Sequence, residues 1–220
     1  MQIAIDGPAG AGKSTIAKNL SKKLGWIYID TGAMYRATAL YCINNNIDLN
    51  NQDKIENAVI EKVDITLVYE NSSQIIFLNG INVSDEIRTQ EISTATSLIA
   101  KYEGIRNYLV KMQQVLASKN DVIMDGRDIG SVVLPDATLK IYLTASNEER
   151  AKRRFQEQSE KGITQSFEEV LKELNSRDKQ DSEREVSPLC KAEGAVEIDT
   201  TNLDIDQIVE EIINLLNRNR

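Results

Sequence analysis

The stretch Gly7-Pro8-Ala9-Gly10-Ala11-Gly12-Lys13-Ser14-Thr15 constrains this chain more than any other feature. It matches G-x-x-x-x-G-K-[ST], and its flanks agree: residues 2–6 read as a short apolar strand, and residues 14–24 as a helix. Glycines accept positive φ and let backbone N–H groups approach phosphate oxygens with no Cβ between them. The following helix adds the partial positive charge of its N-terminus. Lys13 is then placed to neutralise the β- and γ-phosphates, and the Ser14 hydroxyl to ligate Mg²⁺. The sequence thus predicts an ATP site over Gly7, Pro8, Ala9, Gly10, Ala11, Gly12, Lys13, Ser14 and Thr15, with Ser14 as the metal ligand. The loop alone names no reaction, because GTPases, motors and kinases share it.

The rest of the chain reads as α/β. In the first helix Ile16, Leu20 and Leu24 share a face, and Gly25 is a stop. A strand at 26–30 and a helix at about 33–43 follow. Val63, Ile65, Leu67 and Tyr69 then alternate with Asp64, Thr66, Val68 and Glu70, the period of a half-buried strand. With a turn over Asn71 to Ser73, a strand at 74–78, the turn signal Asn79-Gly80 and a strand at 81–83, this predicts a small antiparallel insert. Helices are predicted at about 91–101 and 105–118, strands at 121–124, 138–143 and 195–198, and a last helix at 204–216. Ser146 with Glu149, and Ser166 with Glu169, form capping boxes; the first helix should end at Gly162 and the second near Arg177. Short strands separated by helices imply a parallel sheet covered on both faces.

Composition removes several classes. The chain has 220 residues, enough for one α/β core with insertions. Its net charge of −8 disfavours general nucleic-acid binding, which relies on a basic face. It has no histidine, so His-based general bases, triads and metal sites are excluded. Two cysteines far apart, Cys42 and Cys190, predict free thiols and a reducing compartment. No apolar run approaches the roughly 18 residues that span a bilayer, and Met1 leads straight into a strand. The expectation is a cytoplasmic protein with no membrane and no nucleic-acid partner.

Among owners of such a loop, a GTPase should carry N-K-x-D and a D-x-x-G switch, and neither is present. A short chain rich in arginines downstream of the loop suits a kinase with a phosphorylated acceptor. Two anions must meet there, and cations must screen them. Arg127, just past a buried strand end, lies where open α/β sheets bind ligands.

Four segments sharpen this. They are the loop, Asp30-Thr31-Gly32-Ala33-Met34-Tyr35-Arg36, Met124-Asp125-Gly126-Arg127-Asp128-Ile129-Gly130, and Arg177-Asp178-x-x-Asp181-x-x-Arg184. Together with 86–91 and 132–137, they make the chain resemble bacterial cytidylate kinases over essentially its whole length, and the antiparallel insert falls where that family carries one. The resemblance implies a five-stranded parallel sheet in order 2-3-1-4-5. It also implies a single domain 1–220 with a core (about 1–30, 104–147 and 178–220), a monophosphate-binding region (about 31–103, insert about 63–83) and a lid (about 148–177).

It further implies that Arg36, Arg127 and Arg184 clamp the acceptor phosphate, and that Ser97, Arg106 and Asp128 contact cytosine. Arg177 and Asp181 would meet the sugar and phosphate, and Arg153 and Arg154 would close over the transferring group. Thr31 stands where the family often has serine, and keeps a hydroxyl. The activity implied is transfer from ATP to CMP and dCMP with Mg²⁺, by a monomer, in pyrimidine nucleotide metabolism. The competing expectations are another small-molecule kinase, such as a uridylate or shikimate kinase, and a nucleotide-gated binding protein without transfer.

Overall fold

The computed structural model describes residues 1–70, 73–160 and 162–218. In chain order the elements are β1 (Gln2–Asp6), α1 (Lys13–Leu24), β2 (Ile27–Asp30), α2 (Thr31–Asn44), α3 (Gln52–Lys62), β3 (Ile65–Glu70), β4 (Ser73–Leu78) and β5 (Ile81–Asn82). Then come α4 (Gln90–Ile99), α5 (Glu103–Ser118), β6 (Val122–Asp125), β7 (Leu139–Thr144), α6 (Asn147–Glu160), α7 (Phe167–Glu183), β8 (Val196–Asp199) and α8 (Ile205–Arg218).

The main sheet runs β2-β6-β1-β7-β8 with every pair parallel, which is the expected 2-3-1-4-5 order once its own strands are counted. Its centre is apolar on both faces: Ile3, Ala4 and Ile5 of β1 are fully buried, as are Val122, Ile123 and Met124 of β6. On one face Ile16, Ala17 and Leu20 of α1 join Ile208, Val209, Ile212 and Leu216 of α8 against Ile3, Ile5, Ile141 and Leu143. On the other, Ala117 of α5 packs with Ala4, Ile29 and Met124. A separate core gathers α2 to α5 with Ile65, Ile76 and Leu78 of the antiparallel sheet β3-β4-β5.

Local signals account for most boundaries. Asn79 and Gly80 both have positive φ, 50° and 80°, which makes the tight hairpin turn between β4 and β5. The expected turn over Asn71 to Ser73 falls on residues 71 and 72, which lie outside the described residues. The Ser166–Glu169 capping box forms with both of its bonds. The Ser146–Glu149 box is only half made. Ser146 Oγ accepts from Glu149 N at 3.2 Å, but the Glu149 carboxylate turns instead to Arg153 at 3.1 Å.

Two expectations need correction. Helix α7 continues to Glu183 rather than ending near Arg177, because no glycine or proline interrupts residues 177–183. Helix α3 was not predicted at all. It buries only Ile55 and Val59 and is capped by Asn51, whose side chain accepts from Lys54 N.

At Gly7 the chain leaves β1 with φ 145°, and a Cβ there would lie 2.0 Å from the Leu143 carbonyl oxygen in β7. Gly7→Ala is therefore expected to cost about 3 kcal/mol or more, since backbone cannot yield as a side chain can. A urea unfolding midpoint measures it; an unchanged midpoint would mean that the strands separate freely at this point.

Candidate active site

The loop after β1 enters α1 through Gly12, a left-handed N-cap, and Lys13 is the first helical residue. Lys13 is buried and donates from Nζ to the Pro8 carbonyl at 2.6 Å, so its side chain folds over the loop. Burial, with the Arg127 guanidinium nearby, holds its pKa well below the usual lysine range. One residue on, Ser14 Oγ donates to Asp125 Oδ2 at 2.7 Å, and Tyr28 donates to Asp125 Oδ1 at 2.9 Å. Asp125 closes β6, directly beside β1, and burial together with Asp30 pushes its pKa up. Thr31 Oγ1 donates to the Asp125 carbonyl at 2.7 Å.

A second carboxylate holds the next loop. Asp6, at the end of β1, accepts from Ile129 N and Gly130 N, each at 2.7 Å. Burial raises its pKa to about 6 against the pull of those two bonds. The strand that feeds the phosphate loop thus also fixes the segment that carries Arg127 and Asp128.

Around that segment lies a network of opposite charges. Arg127 Nε donates to Asp181 Oδ2 at 2.8 Å. Arg184 stands 3.8 Å from both Asp128 and Asp181. Arg106 pairs with Asp128, donates to the Ala100 carbonyl at 3.1 Å and lies 5.5 Å over the Tyr35 ring. Although burial alone would raise it, Arg127 and Arg177 hold the Asp181 carboxyl below its usual range. Arg36 pairs with Asp30 at 2.9 Å, and Asp30 also caps α2 through Ala33 N.

Arg177 differs from these. Among the described residues no carboxylate lies within ion-pair distance of it, whereas Arg106, Arg127 and Arg184 each have one; like that of Arg106, its Nε is buried without a hydrogen-bond partner. Burial, with Arg127, Arg36 and Arg154 nearby, lowers its pKa to about 10 against the pull of Asp181. Lys13 feels the same repulsion from Arg127 and Arg177. Cations from α1, α2, α6, α7 and the end of β6 therefore face one region beside the phosphate loop. Like charges gathered in this way repel one another, and a bound anion would offset that repulsion.

The remaining expected residues are more scattered. Arg153 donates to Thr200 Oγ1 at 2.9 Å and to the Thr200 carbonyl at 2.6 Å, and its Nη1 would lie 3.8 Å from a Cβ on Gly12. It therefore flanks the loop, held to the end of β8. Arg154 is bonded to Glu157 at 3.1 Å and lies close enough to Arg177 to repel it. Ser97 bonds the Ser93 carbonyl at 3.3 Å, and its own carbonyl accepts from Gln180 of α7 at 3.2 Å; it makes no bond to Arg106 or Asp128. Sequence reasoning missed Asp6, Asp125, Arg150 and Asp178 as site residues. The position of Asp6 and Asp125 at the carboxyl ends of adjacent buried strands was the signal available for the first two.

This geometry belongs with a specific set of relatives. A family profile for cytidylate kinase matches residues 3–218. The chain belongs to the cytidylate kinase family. The cytidylate kinase of Bacillus subtilis (strain 168) is 50% identical over 213 residues, 97% of this chain and 95% of the relative. That of Bacillus pumilus (strain SAFR-032) is 48% identical over 218 residues, 99% and 96%. More distant similarities concern the fold alone. Shikimate kinases from Acinetobacter baumannii and Bacteroides thetaiotaomicron superpose with TM-scores of 0.50 and 0.51 at 16% and 13% identity, covering 100% and 99% of this chain and 94% and 98% of theirs. Both cysteines are free, and among the described residues no helix is long and apolar enough to cross a membrane.

Proposed function

We propose that the chain transfers the γ-phosphoryl group of ATP to CMP, and also to dCMP, giving ADP and the diphosphate. The reading is carried by the cationic cluster of Lys13, Arg36, Arg127, Arg154 and Arg177 beside the phosphate loop, with a buried Arg177 Nε lacking a partner. Relatives about half identical over nearly the whole chain name the substrate.

Residues Gly7 to Thr15 would bind ATP, with Lys13 on its β- and γ-phosphates. Arg36, Arg127 and Arg184 would hold the CMP phosphate beside the Thr31 hydroxyl, Arg177 and Asp181 its sugar and phosphate, and Ser97, Arg106 and Asp128 the base. An oxygen of the CMP phosphate attacks the γ-phosphorus while the bond to the β–γ bridging oxygen breaks, so ADP departs with that electron pair. No covalent enzyme intermediate is needed; the chain supplies positioning and charge neutralisation. Ser14 and Asp125 offer hard oxygen donors 2.7 Å apart at the head of α1, a set that suits Mg²⁺. When bound, Mg²⁺ screens the β- and γ-oxygens. Residues about 148–177, α6 and the first two thirds of α7, would act as a lid that brings Arg153 and Arg154 over the reacting group and excludes water. The monophosphate region would comprise about 31–103 with its β insert, the remainder forming the core of one domain. We place the protein in the cytoplasm, as a monomer serving pyrimidine nucleotide metabolism.

An ADP-release assay across CMP, dCMP, UMP, AMP, GMP and shikimate tests this. Turnover confined to the cytidine nucleotides is expected; ATP binding with no ADP formed in step with CMP sinks it. Arg127→Ala should harm acceptor use selectively. Its loss costs about 2–4 kcal/mol, or very roughly 30- to 1000-fold in kcat/KM for CMP, with a much smaller change for ATP. Equal losses for both substrates would put Arg127 on the wrong one.

A further inference from the structure

Ala9, in the middle of the phosphate loop, is held at both its polar atoms by side chains that the reaction above does not use. Its N–H donates to Asp178 Oδ1 at 3.1 Å, and its carbonyl accepts from Arg150 Nη1 at 2.8 Å. Arg150 and Asp178 also pair with each other, which closes a ring around the Ala9 backbone. Arg150 is only 4% exposed and uses its other donors on the Ala145 carbonyl at 3.2 Å and Asn147 Oδ1 at 2.5 Å. The next loop residue rests on the same place: a Cβ on Gly10 would lie 3.0 Å from the Arg150 carbonyl oxygen. Ala9 packs with Ala151, Val170 and Leu174.

The two charged residues sit at corresponding ends of an antiparallel pair. Arg150 is in the first turn of α6, and Asp178 is in the last third of α7, so both lie where the α6–α7 pair joins the core. A buried ion pair is weak evidence for stability in itself, since desolvation offsets most of its attraction. This pair does more, because it fixes a peptide. The flanking Pro8 carbonyl receives Lys13 Nζ, and Gly10 and Gly12 follow at φ 76° and 85°. Loop amides converge on phosphate oxygens only if the loop's course is set in advance; otherwise part of the binding energy is consumed in ordering it.

We propose that Arg150 and Asp178 are positioning residues for the nucleoside triphosphate: a clasp at the root of α6 and α7 that presets the phosphate loop for ATP. The inference rests on the ATP-binding role given to that loop above. It gives the root of the α6–α7 pair a fixed attachment, so any closing motion pivots on the loop that holds the donor phosphates.

The test is calorimetric titration of ATP, together with steady-state kinetics, on the full chain and on Arg150→Met. The variant should bind ATP roughly 10- to 100-fold more weakly, the scale of misplacing a preorganised group. Its KM for ATP should rise in parallel, while its KM for CMP at saturating ATP stays within about threefold of the parent value. Asp178→Ala should weaken ATP to a similar degree, and the double variant no further than the worse single one, since both act through one peptide. Should Arg150→Met not fold, Arg150→Lys carries the same test: an ammonium can meet Asp178 but cannot also fork to the Ala9 carbonyl. Unchanged ATP affinity in a folded variant, equal rises in both KM values, or strictly additive losses overturn the proposal. The parent chain separates the two readings. If it forms no CDP, the proposed activity falls; if it is active and its ATP affinity ignores Arg150, only the clasp falls.

Discussion

Lys13→Met should lose about 10³-fold in kcat with CMP and ATP while the protein remains folded, the scale of deleting one preorganised charge from a transition state. The structure supports both halves of that expectation. The ammonium is buried near Arg127 and Arg177, which makes it an unfavourable charge for the folded chain by itself. Methionine fills a similar volume without charge, and the one bond given up is that to the Pro8 carbonyl. Thermal melting should therefore show no loss of stability, so that the kinetic defect is read as chemistry. Near-normal turnover would mean that no phosphoryl group passes this lysine.

CMP should be preferred to UMP by about 3–5 kcal/mol, or roughly 10²- to 10³-fold or more in kcat/KM. The two bases differ along one edge. Cytosine presents an N4 amino donor and an N3 acceptor; uracil presents an O4 acceptor and an N3–H donor. Asp128 is buried between Arg106 and Arg184, and an ionised carboxylate only accepts. Arg106 Nε is a buried donor without a hydrogen-bond partner, suited to the acceptors of cytosine and opposed to uracil N3–H. Inverted hydrogen bonds discriminate more strongly than a misfit of size, because each leaves a buried group unpaired. Steady-state kinetics at matched ATP and Mg²⁺ decide it. Equal efficiency with UMP would remove Ser97, Arg106 and Asp128 from the base.

The phosphate loop and the sheet were legible because their signals are local. Gly7 to Thr15 lies between a strand and a helix whose patterns are short and strong, and the central strands β1 and β6 are near-continuous apolar runs. The Asn79-Gly80 turn was equally plain. Helix α3 was not, because a stripe of only Ile55 and Val59 in a polar segment has too little period to register. The site was legible in its cations but not in what orders them. That Arg150 is buried against Ala9, or that Asp6 reaches Ile129 and Gly130, depends on contacts spanning more than a hundred residues. A charged residue on a polar helix such as α6 reads from sequence as solvated surface; only tertiary packing separates Arg150 from Lys152.

The bond between Gln74 and β2 has a consequence away from the active site. β2 is an outer strand of the main sheet, and Gln74 Oε1 takes the Asp30 N–H at 2.9 Å. Leu67 and Tyr69 of β3 pack on the same apolar cluster as Ile27. An open strand edge is a template for pairing with another chain. The antiparallel insert therefore shields the end of β2 from sheet-to-sheet association. Trimming it should leave a protein prone to aggregate, even where the phosphate loop is untouched.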